Sequence, residues 1–539
     1  MREKGRLMKI KQAVVLTAIA LGACTTEKIS YVTRAPFNPP PDSTTGFLGY
    51  YTVSTKQTTC GNCHVGHQTG WITTAHSHAW ADLQGSGHAT SSCNACHAVS
   101  QLGNKLGKPG GYPVVADSAY HDVQCENCHG PGLTHVQNPD VVTNQPLASI
   151  HVDTSLANGC GGCHTGVHEP FVDQWVQSAH GSGPGFGPAV SSGASCTPCH
   201  EGKQALAVTF GVSTNYQEKS DTSHQRIVCS VCHDPHGTSG FEGQLRADIT
   251  TPTFNNLCIK CHSRTGTPPW PAASGTSASR GPHGAQGFLV LGQNVGWIPP
   301  GFNYDTSQIV SSHGTSANPR LCATCHVAVT TVTDAATGAF KLQNVGHLFA
   351  AVPCLDANGL PTTSTSCTTA QRDFSGCVAS GCHTTTASAM SAYTANIAVI
   401  DNLLDQIWVD SNGNGVVDPY PTDGGLLAQM VARASHQDSV DLNFGNTITS
   451  VAKGTIFNAA LAATDDRPYF LAGKVFGKSW AAHASSGNGV HNPFLLQALL
   501  SASVAALHTA TGFPAPPYVD MSVHATPPPG LRTKAVSAR

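Results

Sequence analysis

The sequence predicts a mainly α chain with much irregular loop, folded around something other than an aliphatic core. Three observations point there. Of 539 residues only 11% are charged, against roughly 25% in an ordinary soluble domain, and hydrophobic residues reach 40%. Glycine and proline are abundant, at 55 and 34. Two residue types are in excess, with 21 Cys and 28 His. At roughly 100–200 residues per domain, the length allows about three to five domains. The formal net charge of -3 argues against a nucleic-acid partner, which would demand a basic stripe.

The first element is a targeting segment. Arg2, Lys4, Arg6, Lys9 and Lys11 precede a short apolar run, Ala13 to Leu21. The run is too short to span a bilayer and reads as a signal h-region. No run of 18 or more apolar residues follows, so no spanning helix is expected. The run ends in Leu21-Gly22-Ala23-Cys24, which resembles a bacterial lipobox. That resemblance implies cleavage after residue 23, lipid on Cys24 and, with Thr25 following rather than Asp, an outer-membrane anchor. Residues 24–49 would then be a tether, Pro-rich from Ala35 to Thr45.

The second element is a repeat, spanning about residues 50–390. Sixteen cysteines form eight Cys-x-x-Cys-His motifs: Cys60/Cys63/His64, Cys93/Cys96/His97, Cys125/Cys128/His129, Cys160/Cys163/His164, Cys196/Cys199/His200, Cys229/Cys232/His233, Cys258/Cys261/His262 and Cys322/Cys325/His326. Zinc knuckles, dithiol redox motifs or disulfides would explain the pairs but not the histidine after each second cysteine. Eight such histidines by chance would be on the order of one in ten billion. The motif is that of covalent haem c. Two thiols at i and i+3 reach the two vinyl groups of one porphyrin edge, and the next residue turns its imidazole to the iron. The first seven motif histidines are spaced 29 to 36 residues apart, and the last gaps widen. Units this small cannot bury a core of their own, so porphyrin supplies the apolar mass.

A ninth centre is expected at His383, with Cys377 and Cys382 as Cys-x4-Cys-His. Cys367 is a competing partner for Cys382. The shorter loop favours Cys377, which leaves Cys354 and Cys367 able to pair. The alternative without haem, a Cys377–Cys382 disulfide, also stays open.

No methionine lies between Cys24 and His383, so Met ligation from within the haem region is excluded and a second histidine is the economical sixth ligand. The non-motif histidines of that region include His67, His76, His151, His168 and His283. The expected distal set is His78, His88, His121, His135, His180, His224, His236, His313 and His347. Six-coordinate irons of this kind pass electrons and leave little room for a substrate, so no catalytic residue is assigned and an enzyme with its own substrate site is the less expected reading.

Residues 263–320 form a haem-free insert, with a short strand expected at Phe288–Leu291. From Thr384 onward there is no cysteine, and residues 391–539 read as a haem-free helical domain. Helical periodicity runs from Ala389 to Trp408. A second helix is expected from Pro493 to Leu507, with Asn492 as its N-cap. Between them Asp410, Asn412, Asn414 and Asp418, with Gly415, match most of a calcium loop. Pro421 stands where that loop would need Glu, and a solvated turn remains the alternative.

The haem region is similar to the multihaem c-type cytochromes of anaerobic respiration. CENCHGPGLTH (Cys125–His135) and CSVCHDPHG (Cys229–Gly237) resemble the wider family of multihaem nitrite reductases and hydroxylamine oxidoreductases, and the outer-surface cytochromes of metal-reducing bacteria. Gly489–Leu500 resembles a helix start in that family. The resemblance implies about nine haems in electron transfer at the outer membrane, the cell surface being favoured. Partner cytochromes or conduit proteins, and a metal oxide acceptor, are implied with it. The lysine-ligated motif of the nitrite reductases is absent, which puts catalysis in doubt. An oxidoreductase of small nitrogen or sulfur oxyanions and a conducting filament are the competing readings.

Overall fold

Each haem motif is built on about one helical turn. Such turns occupy Cys60–Asn62, Asn94–His97, Cys125–His129, Cys160–Gly162, Thr197–His200, Cys229–Cys232 and Cys322–His326. At residues 258–262 hydrogen-bonded turns take their place. The recurring bond runs from the histidine N–H to the first cysteine's carbonyl, as in His64 to Cys60 at 3.0 Å and His233 to Cys229 at 2.9 Å. One turn therefore puts both thiols on one side and swings the imidazole beyond them. The computed structural model describes residues 38–149, 159–212, 222–268, 279–302, 311–379, 381–434, 442, 444, 448–463 and 467–513. The signal segment, Cys24, most of residues 24–49 and His151 lie outside the described residues.

Between motifs the chain is loop, with small two-stranded hairpins such as Thr330–Thr333 with Phe340–Asn344. Apolar clusters in the haem region are small. One gathers Trp175, Ala205, Leu206, Val228 and Val231, and another Phe47, Val99 and Tyr120. This is the composition expected where porphyrin is the principal apolar body.

Among the described residues, the C-terminal region from Thr386 folds conventionally on four helices of nine residues or more. Helix α1 spans Thr386–Ile407, α2 Gly425–Arg433, α3 Val451–Ala462 and α4 Pro493–Thr511. Thr385 caps α1 by accepting the Ser388 N–H at 3.0 Å. Asn492 caps α4 by accepting the Leu495 N–H at 3.3 Å, and α4 ends at Gly512 with φ 67. From Ala452 to Ala462 every residue of α3 is buried, so it is the central helix. Among the described helices, α4 is long and apolar enough to cross a membrane by length and composition. It uses Leu495, Leu496, Leu499, Leu500, Val504 and Leu507 as core residues instead.

The insert belongs to this core. Its Ala285, Leu289 and Val295 pack among the helices. Its strand β1 (Ser279–Arg280) runs parallel to β3 (Lys478–Ala481), which pairs antiparallel with β2 (Ala472–Val475). The strand expected at Phe288–Leu291 is a helix, Gln286–Leu291. A four-residue apolar run does not distinguish the two, and burial of Leu289, Val290 and Leu291 against the helical core decides it.

Asn458 of α3 clasps the insert, accepting the Trp297 N–H at 2.7 Å and donating to the Trp297 carbonyl at 2.8 Å. Beside it, Gly454 lies against the Trp297 ring so closely that a Cβ would overlap it. Gly454→Ala should therefore destabilise the C-terminal core by about 1–3 kcal/mol, as overpacking does. Denaturant unfolding followed by tryptophan fluorescence would show this, with haem content unchanged.

Candidate haem-binding centres

The motif histidines do not stand alone. Eight of them face a second imidazole, with ring centres 6.0 to 6.4 Å apart. The pairs are His64–His135, His129–His236, His164–His76, His200–His283, His233–His347, His262–His180, His326–His491 and His383–His313. A metal–imidazole bond is about 2.0 Å and the ring centre lies about 1.2 Å further, so two imidazoles on opposite faces of one metal have centres about 6.4 Å apart. The described residues thus fit an iron whose remaining ligands come from a porphyrin. Among them, no three His, Cys, Asp or Glu side chains converge as they would on a bare ion.

His64 also meets His67 at 6.2 Å. Those two sit three residues apart on one segment, His64 capping the helix that holds His67. His135 comes from a separate segment. His67 stacks instead on His236 at 4.1 Å.

The other ring nitrogen is committed in many of these histidines, which fixes the tautomer and aims Nε2 at the metal. Nδ1 bonds a backbone carbonyl in His97 (Ala79, 2.9 Å), His129 (Pro146, 2.9 Å), His233 (Gly243, 2.6 Å), His326 (Phe349, 2.8 Å) and His347 (Val345, 2.9 Å). Burial pulls most of the paired rings below the ordinary histidine range, His76, His180 and His236 to about 4. They are therefore neutral, the form that ligates iron. In His164 burial also pulls down, but Glu169 at 3.6 Å from Nδ1, together with the nearby Cys160 and Cys96 thiols, more than offsets it. That carboxylate strengthens the imidazole as a donor.

Five of the nine expected distal residues lie in such pairs: His135, His180, His236, His313 and His347. Three partners lie outside that set: His76 and His283, which are among the other candidate histidines of the haem region, and His491, which lies beyond it. His121 instead lies flat on Trp80, 4.1 Å between centres and 9° between planes. His224 sits half-exposed with Nδ1 4.0 Å from Glu201. His78 and His88 are exposed and make no ring contact among the described residues, and His168 stacks on Phe340. His97 faces no second ring among the described residues.

Thiols of different motifs meet. Cys60 lies beside Cys125, Cys96 beside Cys163, Cys160 beside Cys229, Cys199 beside Cys261 and Cys258 beside Cys322. Cys128 lies near Cys160, Cys232 near Cys258 and Cys261, and Cys325 near Cys377 and Cys382. Cys354 and Cys367 form a disulfide, with Cα atoms 6.0 Å apart, and Cys377 and Cys382 are free.

Cys63 departs from the picture of motif thiols gathered in a haem-filled interior. It is exposed, as are Cys128, Cys160 and Cys382, whereas its motif partner Cys60 is partly covered. The local backbone gives the reason. Cys63 closes the Cys60–Asn62 turn, its N–H donating to the Cys60 carbonyl at 3.1 Å, and within that turn only Gly61 is buried. The turn thus places Cys60 beside Cys125, with Cys63 at its end.

The Asp410 loop closes on its own side chains. Asp410 accepts the Gly413 N–H at 2.9 Å and the Gly415 N–H at 2.8 Å, while Asn412 and Asn414 both donate to Asp418 at 2.9 Å.

Glu126, inside the third motif, is buried and binds the N-terminal strand to the haem region. Its two oxygens accept N–H groups of Leu48 at 2.9 and 2.8 Å, Gly49 at 2.8 Å and Gly132 at 2.8 Å. Burial pushes its carboxyl up to about 7 despite those donors. A folded-state value above the unfolded one adds stability at low pH, which is lost as pH rises from about 4.3 through 7. Glu126→Gln should flatten stability across that window. It should also cost about 1–3 kcal/mol, because the amide NH2 confronts backbone donors. Thermal unfolding across pH 4–8 measures both.

A family model described as cytochrome c554 and c-prime matches residues 59–130, and one described as a doubled CXXCH motif matches residues 223–267. The multiheme cytochrome MtrA of Shewanella baltica (strain OS185) is 26% identical over 191 residues, covering 32% of this chain and 52% of that protein. The chain thus spans about half the length of that relative. No solved structure matches. Paired imidazoles at iron-spanning distance, set beside thiols on single helical turns, agree with these matches, and the chain is a multihaem c-type cytochrome.

Proposed function

We propose that the chain is an electron conduit of nine haems, ligated by pairs of histidines. The observation that carries it is the imidazole facing each of eight motif histidines at 6.0 to 6.4 Å. It leaves those irons no position for a substrate. The ninth haem is held by Cys377 and Cys382 with His383 as ligand, a reading the Cys354–Cys367 disulfide supports by occupying the competing thiol. Cys63 keeps its role at the first haem as the second thiol of that motif.

The thiol contacts support an order for the path. Numbering haems by motif, electrons pass 1–3–4–6–7–8–9, with haem 2 branching from haem 4 and haem 5 from haem 7. Redox-partner cytochromes or conduit proteins would meet the ends of this path, with a metal oxide as one terminal acceptor. The Leu21–Cys24 motif supports an outer-membrane lipid anchor, and a cell-surface position is favoured. The spacing of Asp410, Asn412, Asn414 and Asp418, with Gly415, is what supports a calcium ion in that loop.

A second reading rests on His97, which faces no second ring among the described residues. There an open haem would reduce or oxidise a small nitrogen or sulfur oxyanion. The filament reading drew on Cys367 as a haem thiol, and the disulfide removes that support.

Voltammetry of the adsorbed holoprotein tests the proposal. A reversible envelope integrating to nine electrons, without catalytic current on adding nitrite, hydroxylamine or tetrathionate, is expected. A catalytic wave would favour the open-haem reading. Intact mass should show nine haems, eight in the Cys377→Ser/Cys382→Ser double variant and nine in Cys367→Ser. Loss of a haem in Cys367→Ser would reassign the ninth site.

A further inference from the structure

The chain beyond His383 has no haem motif, yet one of its turns reaches two haem centres at once. His491 faces His326 with ring centres 6.1 Å apart and planes 12° from parallel. One residue earlier, the Val490 carbonyl accepts the Nδ1–H of His313 at 2.7 Å. His313 is the ring that faces His383 at 6.4 Å. His326 and His383 belong to consecutive motifs, and Cys325 lies near both Cys377 and Cys382. The two centres are therefore neighbours.

The turn is held from several directions. His491 Nδ1 bonds the Ser485 carbonyl at 3.0 Å. Asn396 of α1 donates to the Asn488 carbonyl at 2.7 Å, and Gln497 of α4 donates to Asn396 at 3.1 Å. Asn492 donates to the Leu289 carbonyl at 3.1 Å while it caps α4. Gly489 has φ 77, and a Cβ there would press the Asn396 amide at 2.6 Å, so the turn needs glycine at this position. Helix α1 itself begins just after His383. The loop that reaches the haems is thus fixed by the two helices that define the C-terminal core.

Building on the histidine-pair reading above, we propose that the Val490–His491 turn is a shared clamp for the last two haems. His491 is the second iron ligand opposite His326. Val490 is a positioning residue: its carbonyl holds the Nδ1–H of His313 and so turns Nε2 to the iron opposite His383. Axial ligand identity and its hydrogen bonding both set haem potential. One peptide link therefore sets the potentials of two adjacent haems, and the C-terminal core acts as their tuning element.

The test uses the full-length holoprotein, with His491→Ala and His491→Met variants checked for unchanged haem content. In His491→Ala, low-temperature electron paramagnetic resonance should show one low-spin ferric centre per chain converted to high spin. Potentiometric titration should show two haems displaced. His491→Met keeps bulk and a donor atom, so it should stay low-spin with one haem raised in potential. Wild-type spin state and potentials in both variants would overturn His491 ligation. A single displaced potential in His491→Ala would overturn the shared clamp. A largely high-spin wild-type spectrum would instead overturn the histidine-pair reading itself, before any variant is compared.

Discussion

Eight pairs of imidazoles held 6.0 to 6.4 Å apart, the span of one metal with a ligand on each face, are the constraint on which the proposed account of this molecule depends. Each motif supplies only one ring of a pair. The other must come from elsewhere in the chain, and the fold is largely the set of connections that brings it. His76 reaches the fourth motif, His236 returns to the third, and His347 returns to the sixth. In the proposed reading a porphyrin lies between each of these long-range pairs and does the work that aliphatic clusters do in ordinary domains, which accounts for the small apolar clusters of the haem region.

Most of the covalent framework was legible in the sequence because it is contiguous. Thiols at i and i+3 and the imidazole that follows sit on one helical turn, and no tertiary information is needed to see it. How deeply each thiol sits was not legible, since Cys60 and Cys63 share a turn and differ in exposure. Helices α1 and α4 were legible for the same reason as the motifs, through periodicity and the Asn492-Pro493 start. The facing imidazoles are different. His135 and His236 lie a few residues beyond a motif, and local order is enough to single them out. His121 has the same kind of position, four residues before Cys125, and stacks on Trp80 instead. Nothing local separates those cases, because the partner is chosen by where the chain returns in space.

His491 shows the limit most clearly. Its segment was readable as a helix start, and its region as lacking covalent haem. Both readings concern the local chain. That a turn between two packed helices would present an imidazole to the eighth motif depends on the core formed by α1, α3, α4 and the insert. The insert's role was hidden likewise, since Leu289 and Trp297 gain meaning only against Asn458 and its neighbours. The haem region and the C-terminal helices are therefore interdependent.

The central claim is that paired histidines ligate the irons, and a count of bis-imidazole centres tests it most directly. Low-temperature electron paramagnetic resonance with near-infrared magnetic circular dichroism of the oxidised holoprotein supplies that count. At least eight low-spin bis-histidine centres per chain are predicted. Near-parallel pairs such as His326–His491, at 12°, should give rhombic spectra, and crossed pairs such as His200–His283, at 75°, strongly anisotropic ones. Several high-spin centres, or nitrogen–sulfur axial ligation across the haem region, would contradict it.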